Sequence, residues 1–381
     1  MTKLLCITHY FESHRGGIEL VAGRLNRELR QLGFDSRWAA AAVTPPPEDA
    51  SLRSVPLAAW NGFEQITGLP MPVPSPKAVR ALDRQVAEAD VVMIHDALYF
   101  TSILAFLSAR RHRKPIILVQ HIAEIPFKSA ILRGILRAAN RLVTRPLMRR
   151  ANQVVFISET VAGHFSGVRF ARPPRTIFNG VDTSTFQPSA SEAERRSTRA
   201  MLDISHAEPV ALFVGRFVEK KGLLRLREMA RARPDIHFAF AGWGPLDPSD
   251  WHLANISVHR NRTGAELAQL YRAADVLVLP STGEGFPLVI QEALACGLAV
   301  LCGADTADAD PSARKFLKSA HVAIADDQSS ARAFLEVLDR MLTTDRLREE
   351  ATARRDFAVQ RYSWTSCARE HALAIEALVR P

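Results

Sequence analysis

Several features are scarce in this chain of 381 residues, and each scarcity argues against a class of protein. The four cysteines are Cys6, Cys296, Cys302 and Cys367. Their spacing forms neither a CxxC pair nor a metal-ligand cluster, which argues against a disulfide scaffold and a structural zinc site. No apolar run approaches the roughly 20 residues that a membrane-spanning helix requires. Aromatic residues make up only 7% of the chain, few for the base-stacking surfaces of a nucleic-acid-binding protein.

The chain is otherwise rich enough in apolar residues to form a sizeable core. Hydrophobic residues account for 47% of it, and its length predicts two domains. The first apolar run, residues 3–8, is too short for the core of a signal peptide and is followed by no small-residue cleavage site. We therefore expect a cytoplasmic protein.

Positive charge is concentrated in the first part of the chain. The net charge is +9, and residues 1–172 carry 23 Lys and Arg against 13 Asp and Glu, a net of +10 that leaves −1 for the rest. This asymmetry indicates an anionic partner for the first part, such as nucleic acid, lipid head groups or a phosphorylated substrate, or else a solvated basic face.

Short apolar runs alternate with helix-length segments throughout the chain. The runs are residues 3–8, 91–94, 116–120, 154–157, 210–214, 236–240, 276–279, 298–301 and 322–324. They are too far apart for hairpins and are typical of buried parallel strands. A proline-rich exception, residues 44–76, predicts a long surface loop. The pattern predicts an α/β fold with two doubly wound Rossmann-like domains and ligands at the carboxyl ends of the strands, in the cleft between the domains.

The clearest local motif is the octapeptide at residues 215–222, GRFVEKKG, placed where a strand ends and a helix begins. Free backbone N–H groups and the positive helix terminus create an anion site there. Arg216 and Lys221 add two full charges, which suits a pyrophosphate bound without metal. An exposed basic loop is the alternative interpretation.

A second motif, EGFPLVIQEA, occupies residues 284–293 after the strand at 276–279. Pro287 suits the first position of a helix, so Gly285 and Phe286 would present backbone donors at the helix start. Glu292 lies within an otherwise apolar helix, where its carboxylate needs a partner such as a sugar hydroxyl. A simply exposed helix glutamate is the alternative.

Taken in order, these motifs resemble the retaining glycosyltransferases of family 4, which have the GT-B fold, and the resemblance extends almost from end to end. The remaining matching segments are residues 9–11 with 16–19 (HYF, GGIE), 177–182 (IFNGVD) with Phe186 and Pro188, 241–245 (AGWGP), 270–275 (LYRAAD) and 362–364 (YSW). The resemblance implies an acceptor-binding domain at residues 1–172, a nucleotide-sugar-binding domain at 173–362, and a last helix, 363–381, that packs back towards the N-terminal domain.

The resemblance also implies roles for individual residues. Arg216, Lys221, Glu284 and His121 are the expected catalytic residues: the first two bind the donor diphosphate, Glu284 binds the transferred hexose, and His121 faces the sugar and the acceptor. Glu292 would bind the ribose. The remaining donor-binding residues are Gly16, Gly17, Gly215, Gly242, Gly285, Phe286, Pro287 and Leu288. His121 follows a strand at its carboxyl end, which fits this role, although a structural histidine is the alternative.

No metal and no cofactor is expected. Residues 308–310 (DAD) resemble the metal-binding Asp-x-Asp of a different glycosyltransferase fold, but paired acidic residues in a polar loop are usually solvated. The sequence also departs from the family pattern at residues 12–13, where two prolines are common, and in the segment 302–310, where a glycine-rich sequence is expected.

Basic residues recur every four positions between residues 128 and 150. They are Arg133, Arg137, Arg141, Arg145 and Arg149. A helix with such a stripe and an apolar face could lie on an anionic membrane, or its apolar face could pack on its own domain. Pro146 is expected to break or restart this helix.

The sequence thus predicts a metal-independent hexosyltransferase that uses a nucleoside diphosphate sugar and a glycan or lipid-diphosphate-linked acceptor. We expect the enzyme to act in cell-surface polysaccharide biosynthesis and to contact the inner face of the cytoplasmic membrane. The first alternative is a nucleotide-sugar epimerase of the same fold. The second is a nucleic-acid-binding protein, suggested by the pI of 9.8 but disfavoured because aromatic residues do not alternate with the basic ones.

Overall fold

The computed structural model describes residues 1–14, 16–43, 45–49, 52–67, 71–122, 130–206, 208–282, 286–323, 326–343 and 346–379. The strands are β1 Lys3–Tyr10, β2 Asp35–Ala41, β3 Arg53–Leu57, β4 Ala59–Trp60, β5 Val73–Pro74, β6 Val91–His95, β7 Ile116–Gln120, β8 Gln153–Phe156, β9 Arg175–Thr176, β10 Val210–Arg216, β11 His237–Trp243, β12 Ile256–His259, β13 Val276–Leu279, β14 Ala299–Gly303 and β15 Leu317–Ala320.

The helices are α1 Gly17–Gln31, α2 Gly62–Thr67, α3 Pro76–Glu88, α4 Phe100–Arg111, α5 Ala130–Ala139, α6 Arg145–Arg150, α7 Glu159–His164, α8 Glu192–Met201, α9 Leu223–Ala232, α10 Gly264–Ala273, α11 Leu288–Ala295, α12 Ala304–Ala307, α13 Asp327–Leu342, α14 Arg346–Glu349, α15 Ala351–Tyr362 and α16 Trp364–Val379. None of the helices in the described ranges is long and apolar enough to cross a membrane.

The chain divides into two compact units. Unit 1 contains Met1–Gly180 and Trp364–Pro381, and unit 2 contains Val181–Ser363. Residues 173–180, which the sequence analysis places in the second domain, belong to unit 1 because β9 pairs with β8. The last helix, α16, also belongs to unit 1 and packs against α1.

Unit 1 is built on a seven-stranded sheet in the order β3-β2-β1-β6-β7-β8-β9. All of its strand pairs are parallel. The central strands β6 and β7 consist of fully buried residues. Strands buried on both faces read as continuous apolar runs, which is why the sequence predicts them correctly.

The segment 44–76 is not simply a surface loop. It contains β3, the small antiparallel ribbon of β4 and β5, and α2. Strand β3 includes Pro56, which cannot donate a backbone hydrogen bond. Its position at the edge of the sheet accommodates the proline, because an edge strand leaves one side unpaired.

The arginine-containing segment is helical over residues 130–150. It runs through α5, a π-helical turn at Asn140–Thr144, and α6. The chain stays helical through Pro146, but α6 begins at Arg145, so the expected break is absent and the expected restart is present. The wider π-helical turn before it accommodates the proline ring. The stripe is also interrupted: Arg145 is half-buried, and its guanidinium lies 6.0 Å from the centroid of Phe165.

Unit 2 is built on a six-stranded sheet in the order β12-β11-β10-β13-β14-β15, again with parallel pairs. The predicted strand at residues 322–324 is wrong: the last strand is β15, five residues earlier. Residue 324 itself lies outside the described residues. Together the two sheets confirm the predicted α/β fold with two parallel-sheet units.

Candidate functional site

The candidate anion-binding loop of unit 2 begins where β10 and β11 end side by side. Gly215 pairs with Gly242, and Arg216 pairs with Trp243. A Cβ atom on Gly242 would collide with the carbonyl oxygen of Gly215, and both glycines have φ values near 155°. The two backbones can therefore approach this closely only if Gly242 has no side chain.

Arg216 is exposed at the end of β10. Its guanidinium carbon lies 4.9 Å from the centroid of the Trp243 ring, and Trp243 is 54% exposed. Among the residues that the structure describes, no carboxylate pairs with Arg216. Stacking on an aromatic face orients the planar guanidinium and leaves its N–H groups available to an anionic ligand.

Lys221 ends a short 3-10 turn, Glu219–Lys221, and is half-buried. The next residue, Gly222, has a left-handed backbone with φ of 79° and packs directly against the carbonyl of Pro280. The N–H of Thr282 donates to the carbonyl of Lys220 at 3.0 Å. The turn that carries Lys221 is thus attached to the segment that follows β13.

That segment leads to the second motif. Glu284 and Gly285 lie outside the described residues, so the structure gives no position for either. Phe286 is buried, Pro287 is the N-cap of α11, and Leu288 is its first residue. Pro287, predicted at the first helical position, therefore lies one residue before it. The first turn of α11 carries the partial positive charge of a helix N-terminus.

Glu292 lies on α11, partly exposed. The hydroxyl of Tyr271 donates to its Oε2 at 2.7 Å. Burial raises the pKa of Glu292 to about 7, and the hydrogen bond from Tyr271 opposes that shift. Because Tyr271 engages only one of the two oxygens, the carboxylate keeps capacity to accept hydrogen bonds from ligand hydroxyls.

In unit 1, His121 follows β7, and His95 is the last residue of the neighbouring strand β6. Both histidines are buried. Their ring nitrogens, His121 Nε2 and His95 Nδ1, are 2.9 Å apart. Burial lowers the pKa of His121 to about 3 and that of His95 well below its usual value. Both rings are therefore neutral at pH 7, and one donates its proton to the other.

Asp96, which follows His95, supports the same strand ends. Its φ is 59°, an uncommon value for a residue other than glycine, and its Oδ1 accepts the backbone N–H groups of His121 at 2.9 Å and Ile122 at 3.2 Å. Burial raises the pKa of Asp96 to about 7. This carboxylate fixes the backbone that carries His121.

The glycine pair lies at the start of α1 in the same unit. Gly16 is the N-cap and Gly17 is the first helical residue. Within the described residues, no atom outside its own helix turn lies within 4 Å of a Cβ built on Gly17, whereas the carboxylate of Glu19 lies against Gly16. Glu19 is buried and pairs with His9 Nε2 at 2.8 Å. An acidic side chain thus already occupies part of this helix N-terminus, while Gly17 faces open space.

The two acidic residues of the segment 308–310 have different partners. Asp310 is fully buried and accepts hydrogen bonds from Arg361 and Tyr362, whereas Asp308 is exposed and pairs with Arg314 at 3.2 Å. Asp310 therefore supports the packing of α15 within unit 2.

Sequence reasoning missed several of these partners as functional residues. Trp243, Tyr271 and Glu19 lie within segments that the resemblance covers, but nothing in the sequence alone pairs them with Arg216, Glu292 and His9. The His95–His121 contact also depends on strand order, because 26 residues separate the two histidines.

Two family models match the chain, one in each half. The model of Glycosyltransferase Family 4 matches residues 15–185, and the model of Glycosyl transferases group 1 matches residues 208–340. These matches support a glycosyltransferase similar to those of family 4, and the two parallel-sheet units have the GT-B fold.

Proteins of similar sequence agree with this class. The alpha-maltose-1-phosphate synthase of Mycobacterium tuberculosis is 27% identical over 305 residues, covering 74% of this chain and 78% of that protein. A GDP-mannose-dependent alpha-mannosyltransferase of Mycolicibacterium smegmatis is 30% identical over 243 residues, covering 63% and 62%.

Solved structures share the fold. The structure of Anabaena Alr3699/HepE in complex with UDP matches with a TM-score of 0.74 and 18% identity, covering 99% of this chain and all of that one. The sucrose-phosphate synthase of Thermosynechococcus elongatus matches with a TM-score of 0.72 and 18% identity, covering 99% of each chain.

Proposed function

We propose that the protein transfers a hexose from a nucleoside diphosphate sugar to a hydroxyl group of a glycan or lipid-linked acceptor, with retention at the anomeric carbon and without a metal. The observation that carries the proposal is the exposed Arg216, stacked on Trp243 and close in sequence to the turn that holds Lys221. A guanidinium and an ammonium on one loop suit the two phosphates of a nucleoside diphosphate.

In this mechanism Arg216 and Lys221 stabilise the departing diphosphate. The bond between the anomeric carbon and the phosphate oxygen breaks, and a bond from that carbon to the acceptor oxygen forms on the same face. The acceptor proton passes to the departing phosphate oxygen. Preorganised charges beside a developing anion contribute more to such a step than any other single effect. The positive N-terminus of α11 supplies a further contribution.

The remaining donor contacts belong to the same proposal. Glu292 accepts hydrogen bonds from the ribose hydroxyls, and Glu284 accepts them from the transferred hexose. The half-buried carboxylate of Glu292, held on one side by Tyr271, supports the first assignment. The backbone also comes close to the donor at six further residues, namely Gly215, Gly242, Gly285, Phe286, Pro287 and Leu288.

On the acceptor side, His121 faces the sugar and the acceptor, and Gly16 and Gly17 bring backbone close to the diphosphate. The open space at Gly17 and the position of His121 at the carboxyl end of β7 support these roles. The neutral state of His121 favours it as a hydrogen-bond partner over a permanent positive charge.

The acceptor is carried by a lipid in the cytoplasmic leaflet, and the arginine-containing helical segment approaches that surface. Leu142 and Ile135 on this segment are 73% and 58% exposed, and the basic residues Arg141 and Arg137, close to them in sequence, are exposed as well. Apolar side chains beside basic ones are typical of helices that lie in an anionic membrane interface.

A screen of UDP-, GDP- and ADP-linked hexoses tests the proposal. The protein should bind one of them and hydrolyse it slowly without an acceptor, releasing the nucleoside diphosphate. If it instead interconverts nucleotide sugars without releasing a diphosphate, it is an epimerase. If it turns over none of them, the proposed activity is wrong.

A further inference from the structure

Two exposed aromatic rings lie at the start of α2 in unit 1. Trp60 and Phe63 are 59% and 43% exposed, and their ring centroids are 5.5 Å apart in an edge-to-face arrangement. Adjacent large aromatic side chains in contact with water indicate a binding surface more often than scattered apolar residues do.

The rings are held in place by their surroundings. Trp60 belongs to β4 and pairs with Val73 of β5. Its indole lies directly against Gly62, so that a Cβ atom on Gly62 would collide with the ring. The ring of Phe63 lies 6.4 Å from that of Phe100, the first residue of α4. The pair therefore forms a fixed surface, which we call the Trp60–Phe63 surface.

Polar side chains adjoin it. The hydroxyl of Tyr10 lies 2.5 Å from Asn61 Oδ1 and 2.6 Å from Glu64 Oε2, and Asn61 Nδ2 donates to the same carboxylate oxygen at 2.8 Å. His14 Nε2 lies 3.1 Å from Glu64 Oε1. Although partial burial opposes it, the hydrogen bonds from Tyr10 and Asn61 lower the pKa of Glu64. Glu64 is therefore an ionised, partly exposed acceptor.

This cluster lies at the ligand-binding edge of the sheet in unit 1. Tyr10 is the last residue of β1, and the next strands in the sheet, β6 and β7, end at His95 and just before His121. Parallel strands end at one edge, and ligands of open α/β sheets bind there.

We propose that the Trp60–Phe63 surface binds an uncharged sugar unit of the acceptor. The apolar face of a pyranose ring packs on the indole, while Glu64 and Asn61 bind its hydroxyl groups. Aromatic faces flanked by carboxylate and amide groups suit a ligand with one apolar face and a polar rim. The negative charge of Glu64 disfavours a phosphate at this position. The inference rests on the proposed glycosyl transfer for its biological meaning, but sugar binding is measured independently of it.

The test measures binding of neutral tetrasaccharides of glucose and of mannose to the full-length protein by calorimetry and saturation-transfer NMR, without nucleotide. We expect at least one of them to bind at millimolar concentration. Trp60→Ala should weaken that binding about tenfold or more, which corresponds to roughly 1.4 kcal/mol. Gly62→Ala should do the same while keeping the indole, because the added methyl group displaces the ring. Trp60→Phe should retain part of the affinity.

Leu107→Ala, on α4 and 60% exposed, is the control and should bind like the wild type. Thermal melts establish that each variant is folded. If no tetrasaccharide binds the wild type, or if Trp60→Ala and Gly62→Ala both bind as the wild type does, the inference is wrong. Hydrolysis of the nucleotide sugar without acceptor should be unchanged in these variants. Absence of that hydrolysis in the wild type, with sugar binding intact, would instead contradict the proposed function.

Discussion

Replacement of Arg216 by alanine is the most direct test of the proposed diphosphate site. The side chain is exposed and stacks on the Trp243 ring, so its removal should leave the melting temperature nearly unchanged. If it stabilises the departing diphosphate, turnover should fall about 100- to 1,000-fold, comparable to the loss of one preorganised donor to a developing anion.

The stacked geometry predicts a graded series. Trp243→Ala keeps the charge but removes the ring 4.9 Å from the guanidinium. Such a contact contributes about 0.5 to 1 kcal/mol at an exposed site, so this variant should lose roughly two- to fivefold in turnover. Arg216→Lys should fall between the two, because an ammonium keeps the charge but not the planar fork. Arg231→Ala, on α9 and about half exposed, is a matched control that should not change turnover.

Steady-state release of nucleoside diphosphate from the donor identified in the screen, together with calorimetry of the diphosphate alone, measures all four variants. Turnover of Arg216→Ala within about threefold of the wild type would place the diphosphate elsewhere, since a lost charge–charge contact at a reacting phosphate costs far more. Equal losses in Arg216→Ala and Arg231→Ala would indicate a general effect of surface charge.

The sequence predicts the central strands well because burial on both faces selects continuous apolar residues. Strands β6, β7 and β13 are of this kind. Strands near or at the sheet edges were missed or misplaced: β12 has four half-buried residues, and β15 alternates exposed and buried positions. A short apolar run, residues 322–324, is more conspicuous in the sequence than the edge strand β15, but its described residues, 322 and 323, lie outside any strand.

The candidate site likewise contains residues that the sequence predicts and contacts that it does not. Arg216 and Lys221 can be recognised because strand end, glycines and basic residues are contiguous in sequence. Their supporting contacts are not contiguous: Trp243 reaches Arg216 only through the register of β10 with β11. His95 likewise meets His121 only because β6 and β7 are neighbours. Contacts set by sheet order require long-range pairing, which periodicity in one segment cannot specify.

Three further predictions concern the metal, the membrane and Glu292. Turnover should survive EDTA, because two cationic side chains neutralise the diphosphate; complete loss restored by magnesium or manganese would contradict this. Sedimentation with anionic vesicles should show binding that weakens as salt rises and drops when Arg133, Arg137 and Arg141 are together changed to glutamine, because each basic residue contributes about 1 kcal/mol at most. Glu292→Gln should weaken binding of the nucleoside diphosphate in calorimetry, whereas Glu284→Gln should affect only the intact donor.

The pKa of Glu292, about 7 in the folded protein against a usual 4.5, sets the pH dependence. A carboxyl group whose pKa is raised on folding stabilises the folded state at pH values below its pKa in the unfolded chain. That stabilisation is lost as the pH rises through its pKa in the folded protein. Thermal melts should therefore show that Glu292→Gln gains stability relative to the wild type between about pH 5 and pH 8. Over the same range, only the wild type should gain nucleotide affinity, because only its carboxyl group ionises. A constant stability difference over that range would show that the carboxylate ionises as freely as in the unfolded chain.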